Sequence, residues 1–231
     1  MKLSLLRKNN RQLKNLVDNL AYLCEDRGIM KVPPPLLEDL SVMLFDIGAV
    51  QLGKFKLHSG RSSRIYLDLR LLVTYPNALR LATKAYQHLL ENLSYNLLAA
   101  PPLAGLPLGT ALCLATDTPL IYPRKTAKSY GTGKSIEGHW TLGETAVIVD
   151  DVITSGDSIL GAISSLKAAG LQVTDAIVLI DREQGGVAHM KSQGYAVHSA
   201  ITVNHLLTIL ENKERISSKQ HAKVLKSLGI R

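Results

Sequence analysis

The densest run of residues able to do chemistry is Ala146-Val147-Ile148-Val149-Asp150-Asp151-Val152-Ile153-Thr154-Ser155-Gly156-Asp157-Ser158. The apolar residues Ala146–Val149 predict a buried strand that delivers two adjacent carboxylates at its carboxyl end. A turn of small hydroxyl residues around Gly156 follows. Helical periodicity then runs from Asp157 to Ala169 and is closed by Gly170. Amides at a helix N-terminus point outward, and the helix dipole favours negative charge there. Thr154, Ser155 and Ser158 add hydroxyl donors. Such a loop can cradle a monophosphate. Asp150 and Asp151 stand beside it, where they can accept bonds from sugar hydroxyls and where a cation can sit. The competing reading is a plain turn with a helix N-cap, which leaves two carboxylates at the end of a buried strand without a use.

Two further segments carry charge in useful places. Residues 123–143 are polar and glycine-rich and predict a long loop, with Arg124, Lys125 and Lys128 near its start. Read locally, this is either a cationic lid or a solvated basic loop. Asp181-Arg182-Glu183-Gln184-Gly185-Gly186 follows the apolar strand Ala176–Ile180. A guanidinium there suits a planar carboxylate, which it can bind through two parallel bonds. Alternatively, Arg182 forms a salt bridge to Asp181 or Glu183. The two cysteines, Cys24 and Cys113, lie far apart among apolar residues, so neither a disulfide framework nor a zinc spacing is present.

The elements that would position these groups alternate. Leu13, Leu16, Val17, Leu20 and Leu23 give an amphipathic helix over residues 9–25, and Val32–Pro35 marks a linker. Leu36–Ile47 reads as a helix stopped by Gly48, Ile65–Leu69 as a strand and Pro76–Asn92 as a helix with a proline start. Leu97–Ala100 is a strand, Gly105–Thr116 a helix, Leu120–Tyr122 a strand and Tyr195–Ile201 the last strand before a helical C-terminus. Short apolar strands separated by helices predict an α/β fold, a mainly parallel twisted sheet with helices on both faces. In such sheets ligands bind beyond the strands' carboxyl ends. That assigns the chemistry to the loops after Ala100, Tyr122, Val149 and Ile180.

Composition narrows the class. The net charge of +8 comes from the ends. Residues 1–32 hold seven cations and three anions, residues 211–231 hold six and two, and the middle is neutral. Cations interleaved with aromatics, as in a single-strand binder, are absent, so no nucleic-acid partner is expected. No apolar run reaches the roughly 18 residues that span a bilayer, and the start is too quickly charged for a secretory signal. A cytoplasmic protein without a membrane partner is expected. Three regions follow: a helical extension over 1–35, a core domain over 36–210 and a basic helical tail over 211–231.

The strand, carboxylate pair and hydroxyl loop resemble the signature with which type I phosphoribosyltransferases bind 5-phosphoribosyl 1-pyrophosphate (PRPP). From about Leu37 to Leu210 the chain is similar to the orotate phosphoribosyltransferase family, especially the orotate domain of uridine monophosphate synthases. The segment Gly53–Arg70 resembles that family's orotate-binding segment, which places His58 and the aromatic Tyr66 at the base; Tyr66 otherwise packs beneath the sheet. Arg124–Lys134 is similar to the family's catalytic loop, and Asp181–Gly186 matches the place where an arginine faces the orotate carboxylate. The resemblance implies the type I fold with a small N-terminal subdomain covering the substrate. It also implies transfer of the phosphoribosyl group to orotate. PRPP would be held by Arg124, Lys125, Lys128, Tyr130, Asp150, Asp151, Thr154, Ser155, Gly156, Asp157 and Ser158. Orotate would be held by His58, Tyr66, Thr154 and Arg182, and catalysis would rest on Lys125, Lys128, Asp150 and Asp151. Mg2+ would be held mainly by substrate and water, and a homodimer would share the lid between subunits.

The chain departs from that pattern at named positions. His58 replaces a lysine, Arg64 a proline and Thr126 a glutamate. Ala100-Pro101-Pro102-Leu103-Ala104 lacks the family's glycine and tyrosine, and neither proline has an N–H to offer an anion. Transfer to another base, or a homologue that binds PRPP without catalysing transfer, is therefore an alternative at this point. Ser155 has no histidine partner in sequence, so no covalent nucleophile is expected.

Overall fold

The computed structural model describes residues 32–56, 62–124 and 135–230. The helix expected over residues 9–25, His58 and the loop residues Lys125, Lys128 and Tyr130 lie outside the described residues.

The chain opens with α1 (Pro34–Asp46), then an antiparallel ribbon of β1 (Val50–Lys56) and β2 (Ser62–Leu67), and a 3-10 turn over Leu69–Thr74. Alternation follows: α2 (Pro76–Leu90), β3 (Leu97–Ala99), α3 (Gly105–Thr116), β4 (Leu120–Pro123), β5 (Ile136–Glu137), β6 (Ala146–Ile153), α4 (Asp157–Ala168), β7 (Asp175–Asp181), α5 (Gly186–Ser192), β8 (Ala196–Thr202), α6 (Val203–Asn212) and α7 (Ser218–Leu228). The central sheet has the order β5-β4-β3-β6-β7-β8, and all its pairs are parallel except β4 with β5.

Pleating explains why the central strands are apolar throughout. Along β6, Ala146 and Ile148 join a cluster with Ile159, Ile163 and Leu166 of α4. Val147 and Val149 join the opposite cluster, with Ala82 and Leu89 of α2 and Leu112 of α3. Both faces are thus covered, and each such large side chain contributes about 1.5–3 kcal/mol by burial. The expected mainly parallel sheet with helices on both faces is the architecture found.

Several element bounds differ from the sequence reading. Pro34 and Pro35 start α1 rather than a linker, because the first turn's N–H groups have no helical partner to lose. The strand expected at Ile65–Leu69 is β2, which pairs only with β1, and Leu69 begins the 3-10 turn. The strand expected to stop at Val149 continues to Ile153, since β7 goes on pairing with it through Val152↔Ile180 and Ile153↔Asp181. The elements β1, β5 and α5 were not foreseen. At the C-terminus, α7 starts on a capping box between Ser217 and Gln220 and buries Val224 in the α1/α2/α6 cluster. The Ser227 hydroxyl accepts from the Arg64 amide of β2 at 3.4 Å.

The topology opens a crevice. From β3 the chain steps outward through α3 to β4, then returns to the other side of β3 as β6 and proceeds to β7 and β8. The β3–β6 boundary is therefore where the winding direction reverses, the place where α/β sheets bind ligands.

Candidate active site

The β3 pairing of β6 stops at Ala99↔Ile148, while the β7 pairing runs on to Ile153. Asp150 and Asp151 lie in the stretch that β3 has left, at the mouth of the crevice. Asp150 is only 7% exposed. Burial, then repulsion from the Asp151 carboxylate, pushes its pKa up to about 7. Burial also raises Asp151 above the usual carboxylate range. Backbone amides partly compensate: Asp150 Oδ1 accepts from the Asp151 N–H at 3.0 Å, and Asp151 Oδ1 from the Val152 N–H at 2.9 Å. The first turn of α3 packs directly against this strand. A Cβ at Gly105 would stand 2.7 Å from the Val149 carbonyl oxygen and 3.4 Å from Asp150 Oδ1, so only glycine fits.

The strand is braced from below by Tyr86, a fully buried residue of α2. Its hydroxyl donates to the Asp150 carbonyl at 2.7 Å and accepts from the Leu179 amide of β7. Burial, and after it the nearby carboxylates, raises this phenol's pKa well above the ordinary value.

Beyond Ile153 the chain turns into α4 through Thr154, Ser155 and Gly156. Gly156 adopts φ 90°, a left-handed conformation that glycine takes without strain. The Ser155 hydroxyl donates to Asp157 Oδ2 at 2.7 Å. The first amides of α4 lack helical partners and face outward. The next strand's loop lies against this turn: a Cβ at Gly186 would stand 2.6 Å from the Thr154 carbonyl oxygen. That contact sets Arg182 beside the turn, and the Arg182 amide donates to the Ile153 carbonyl at 3.1 Å.

Arg182 is half-buried, and burial lowers its pKa from the ordinary arginine value. Its Nε and Nη2 are buried and find no hydrogen-bond partner among the described residues. The two carboxylates offered by its neighbours are engaged elsewhere. Asp181 Oδ1 accepts from the Glu183 amide at 2.8 Å, and Glu183 Oε2 accepts from the Asn204 amide at 2.7 Å. The alternative of an Arg182 salt bridge to Asp181 or Glu183 is therefore not what forms.

On the other side, Arg124 follows β4 and bonds Glu137 of β5 through Nη1, while its buried Nε has no partner among the described residues. It lines a cleft of about 240 Å³ together with Pro101, Pro102 and Ser158. Tyr66 of β2 is half-buried and lies in neither core cluster, unlike the packing expected of a residue beneath the sheet. Its ring sits 5.5 Å from that of Phe55, and Arg70 Nη2 donates to its hydroxyl at 3.1 Å. The charge of Arg70 also reaches Asp151 and favours its ionised form.

Comparison with known proteins decides the family. The phosphoribosyl transferase domain model matches residues 73–210. The orotate phosphoribosyltransferase of Pyrococcus abyssi is 37% identical over 171 residues, covering 73% of this chain and 94% of that protein. The chain belongs to the orotate phosphoribosyltransferase family. A bifunctional PyrF/PyrE enzyme of a Nostoc species is 36% identical over 184 residues, which cover 80% of this chain and 39% of that protein. The structure of Leishmania donovani UMP synthase superposes with a TM-score of 0.78 at 37% identity, over 83% of this chain and 42% of that one. The chain thus spans about 40% of the length of the bifunctional relatives it matches.

Within this family fold, the structure gathers Asp150, Asp151, Thr154–Ser158 and Arg182 at the ends of β6 and β7, with Arg124 across the cleft. Four residues that neighbour these groups or Tyr66 were not singled out as site residues from the sequence. Tyr86, Phe55 and Arg70 act through contacts that sequence spacing does not announce. Glu183 was read only as a candidate partner for Arg182. The Gly185-Gly186 pair was the available signal that two loops had to meet.

Proposed function

We propose that this chain transfers the 5-phosphoribosyl group of PRPP to orotate, releasing pyrophosphate and forming orotidine 5'-monophosphate. The observation that carries this reading is the juxtaposition of a buried cationic donor and a pair of carboxylate acceptors. Arg182 holds buried, unpartnered donors beside the Thr154–Gly156 turn, and the adjacent carboxylate pair is raised by burial. A base bearing a planar carboxylate satisfies the first. A ribose with two adjacent hydroxyls satisfies the second.

In this reading the 5'-phosphate sits on the Thr154–Ser158 turn, where amides and hydroxyls converge. Asp150 and Asp151 accept from the 2'- and 3'-hydroxyls and face the positive charge that develops as the bond from C1 to pyrophosphate oxygen breaks. That electron pair leaves with pyrophosphate. The ring nitrogen of orotate supplies the pair for the new bond to C1, and its proton passes to solvent. Tyr66 and His58 lie against the base. Arg124, with Lys125, Lys128 and Tyr130 of the following loop, meets the pyrophosphate, whose charge grows in the transition state. No covalent nucleophile is needed in this reading, and the Ser155 hydroxyl serves the turn by donating to Asp157.

Mg2+ fits this donor set. Among the described residues no group of three or more His, Cys, Asp or Glu is placed to hold an ion. Two carboxylates beside a polyanionic substrate suit a cation that keeps water and substrate oxygens as most of its ligands. Asp150 and Asp151 would hold it through ribose hydroxyls and water, and it would supply counter-charge to the pyrophosphate. The active unit in this reading is a homodimer whose lid reaches the partner's site.

The test is the ultraviolet loss of orotate with PRPP and Mg2+, run beside uracil and hypoxanthine. Turnover of orotate alone is expected. Preference for another base overturns the substrate assignment. Thermal stabilisation by PRPP, about 2.7 kcal/mol at a hundredfold excess over Kd, without any turnover would identify a binding homologue. Pro101 and Pro102, which lack N–H groups at the crevice, motivate that arm.

A further inference from the structure

Glu183 sits in the left-handed region at φ 54°, which is uncommon for a residue other than glycine. Its carboxylate accepts from the Asn204 amide at 2.7 Å, and the Thr202 side chain also bonds to it. Asn204 lies in the first turn of α6, where amides lack helical partners. Thr202 satisfies another of them by accepting from the His205 amide at 3.2 Å. An acid placed there is favoured by the helix dipole as well. The result is a loop pinned at Arg182 itself and at the residue after it. The Arg182 amide is tied to Ile153, and Glu183 is tied to α6.

The consequence lies in what Arg182 lacks. Arg182 is flanked by two carboxylates, Asp181 and Glu183, either of which could serve as an internal counter-ion if its side chain turned toward the guanidinium. Each carboxylate instead accepts a backbone amide through one oxygen, and Arg182 Nε and Nη2 are left buried without partners among the described residues. We propose that Glu183 is a positioning residue for base selection: by docking on the N-terminus of α6 it keeps the Arg182 guanidinium free of an internal counter-ion and available to the carboxylate of the base. This rests on the reading of Arg182 as the orotate contact. It adds that selectivity depends on a residue that does not touch the substrate.

Two variants separate anchoring from charge. Glu183→Asp keeps the charge and suits positive φ, but its side chain is one methylene too short to reach the α6 amide. The freed carboxylate then competes with orotate for Arg182. Glu183→Gln keeps an acceptor for the Asn204 amide and removes the charge. The measurement is KM for orotate and for PRPP in each variant, with the ratio of kcat/KM for orotate over uracil, the same ring without the carboxylate. Glu183→Asp is expected to raise KM for orotate about tenfold, leave KM for PRPP within about twofold, and lower the orotate-to-uracil ratio. Glu183→Gln is expected to stay near wild type. Equal changes in both KM values, or an unchanged base ratio in Glu183→Asp, overturn the inference alone. A wild-type protein that neither binds nor turns over orotate overturns it together with the reading it rests on.

Discussion

Asp150 and Asp151 carry an electrostatic conflict that the fold maintains at some cost. A carboxylate raised by burial is more easily protonated in the folded chain than in the unfolded one, so the folded state binds more protons between the two pKa values. Stability from such a group is complete below about pH 4 and is lost as pH rises through about 7 for Asp150. Asp150→Asn, which removes the charge and keeps the shape, is therefore expected to stabilise the ligand-free protein at pH 8 by about 1–3 kcal/mol while sharply reducing turnover. Thermal unfolding at pH 5 and pH 8 checks the sign, because the gain should shrink at the lower pH. Under the proposed function the same titration would govern PRPP capture by the ligand-free protein. The pair accepts sugar hydroxyls best when ionised, so kcat/KM for PRPP is expected to climb with pH through about 7 and then level off. The inflection belongs to the pair rather than to one residue. Tyr86→Phe removes the donor to the Asp150 carbonyl inside the core. It is expected to cost about 1–3 kcal/mol of stability and to raise KM for PRPP more than it changes KM for orotate, as steady-state kinetics would show.

At the level of elements, the central sheet was legible because its strands are short apolar runs separated by segments of helical length. The helix Gly105–Thr116 was read with the bounds it has. What escaped had physical reasons. The strand β1 contains a glycine and two lysines and alternates too weakly to stand out. The strand β5 has only two residues, and α5 begins on a glycine pair that resembles a loop. The end of β6 was placed early because two aspartates look like the close of a strand, whereas pairing with β7 carries the ladder through them. The Thr154–Ser158 turn, the acidic pair and Arg182 were visible because each belongs to a contiguous motif. The Tyr86 contact spans 64 residues of sequence and needs the fold to bring it about. Packing between the two loops makes a prediction of its own. Gly186→Ala would push a methyl within 2.6 Å of the Thr154 carbonyl, a backbone atom that can yield only if the turn moves. A loss of about 1–3 kcal/mol in stability is expected, together with weaker PRPP binding by calorimetry. Normal PRPP affinity in this variant would show that the two loops do not act as one unit.

For the molecule as a whole, the reversal of winding between β3 and β6 decides where a ligand can enter. The acidic pair lies on that line, with the cationic residues Arg124 and Arg182 to either side. Helix α7, part of the basic end, returns to close the core beside β2 instead of standing free, with Val224 buried. The two core clusters fix the sheet from both faces. The most direct test is a crystal structure with PRPP and Mg2+. The account predicts the 5'-phosphate on residues 154–158 and the ribose hydroxyls within hydrogen-bonding distance of Asp150 and Asp151. A sugar phosphate bound elsewhere, or a crevice left empty at saturating PRPP, would contradict it.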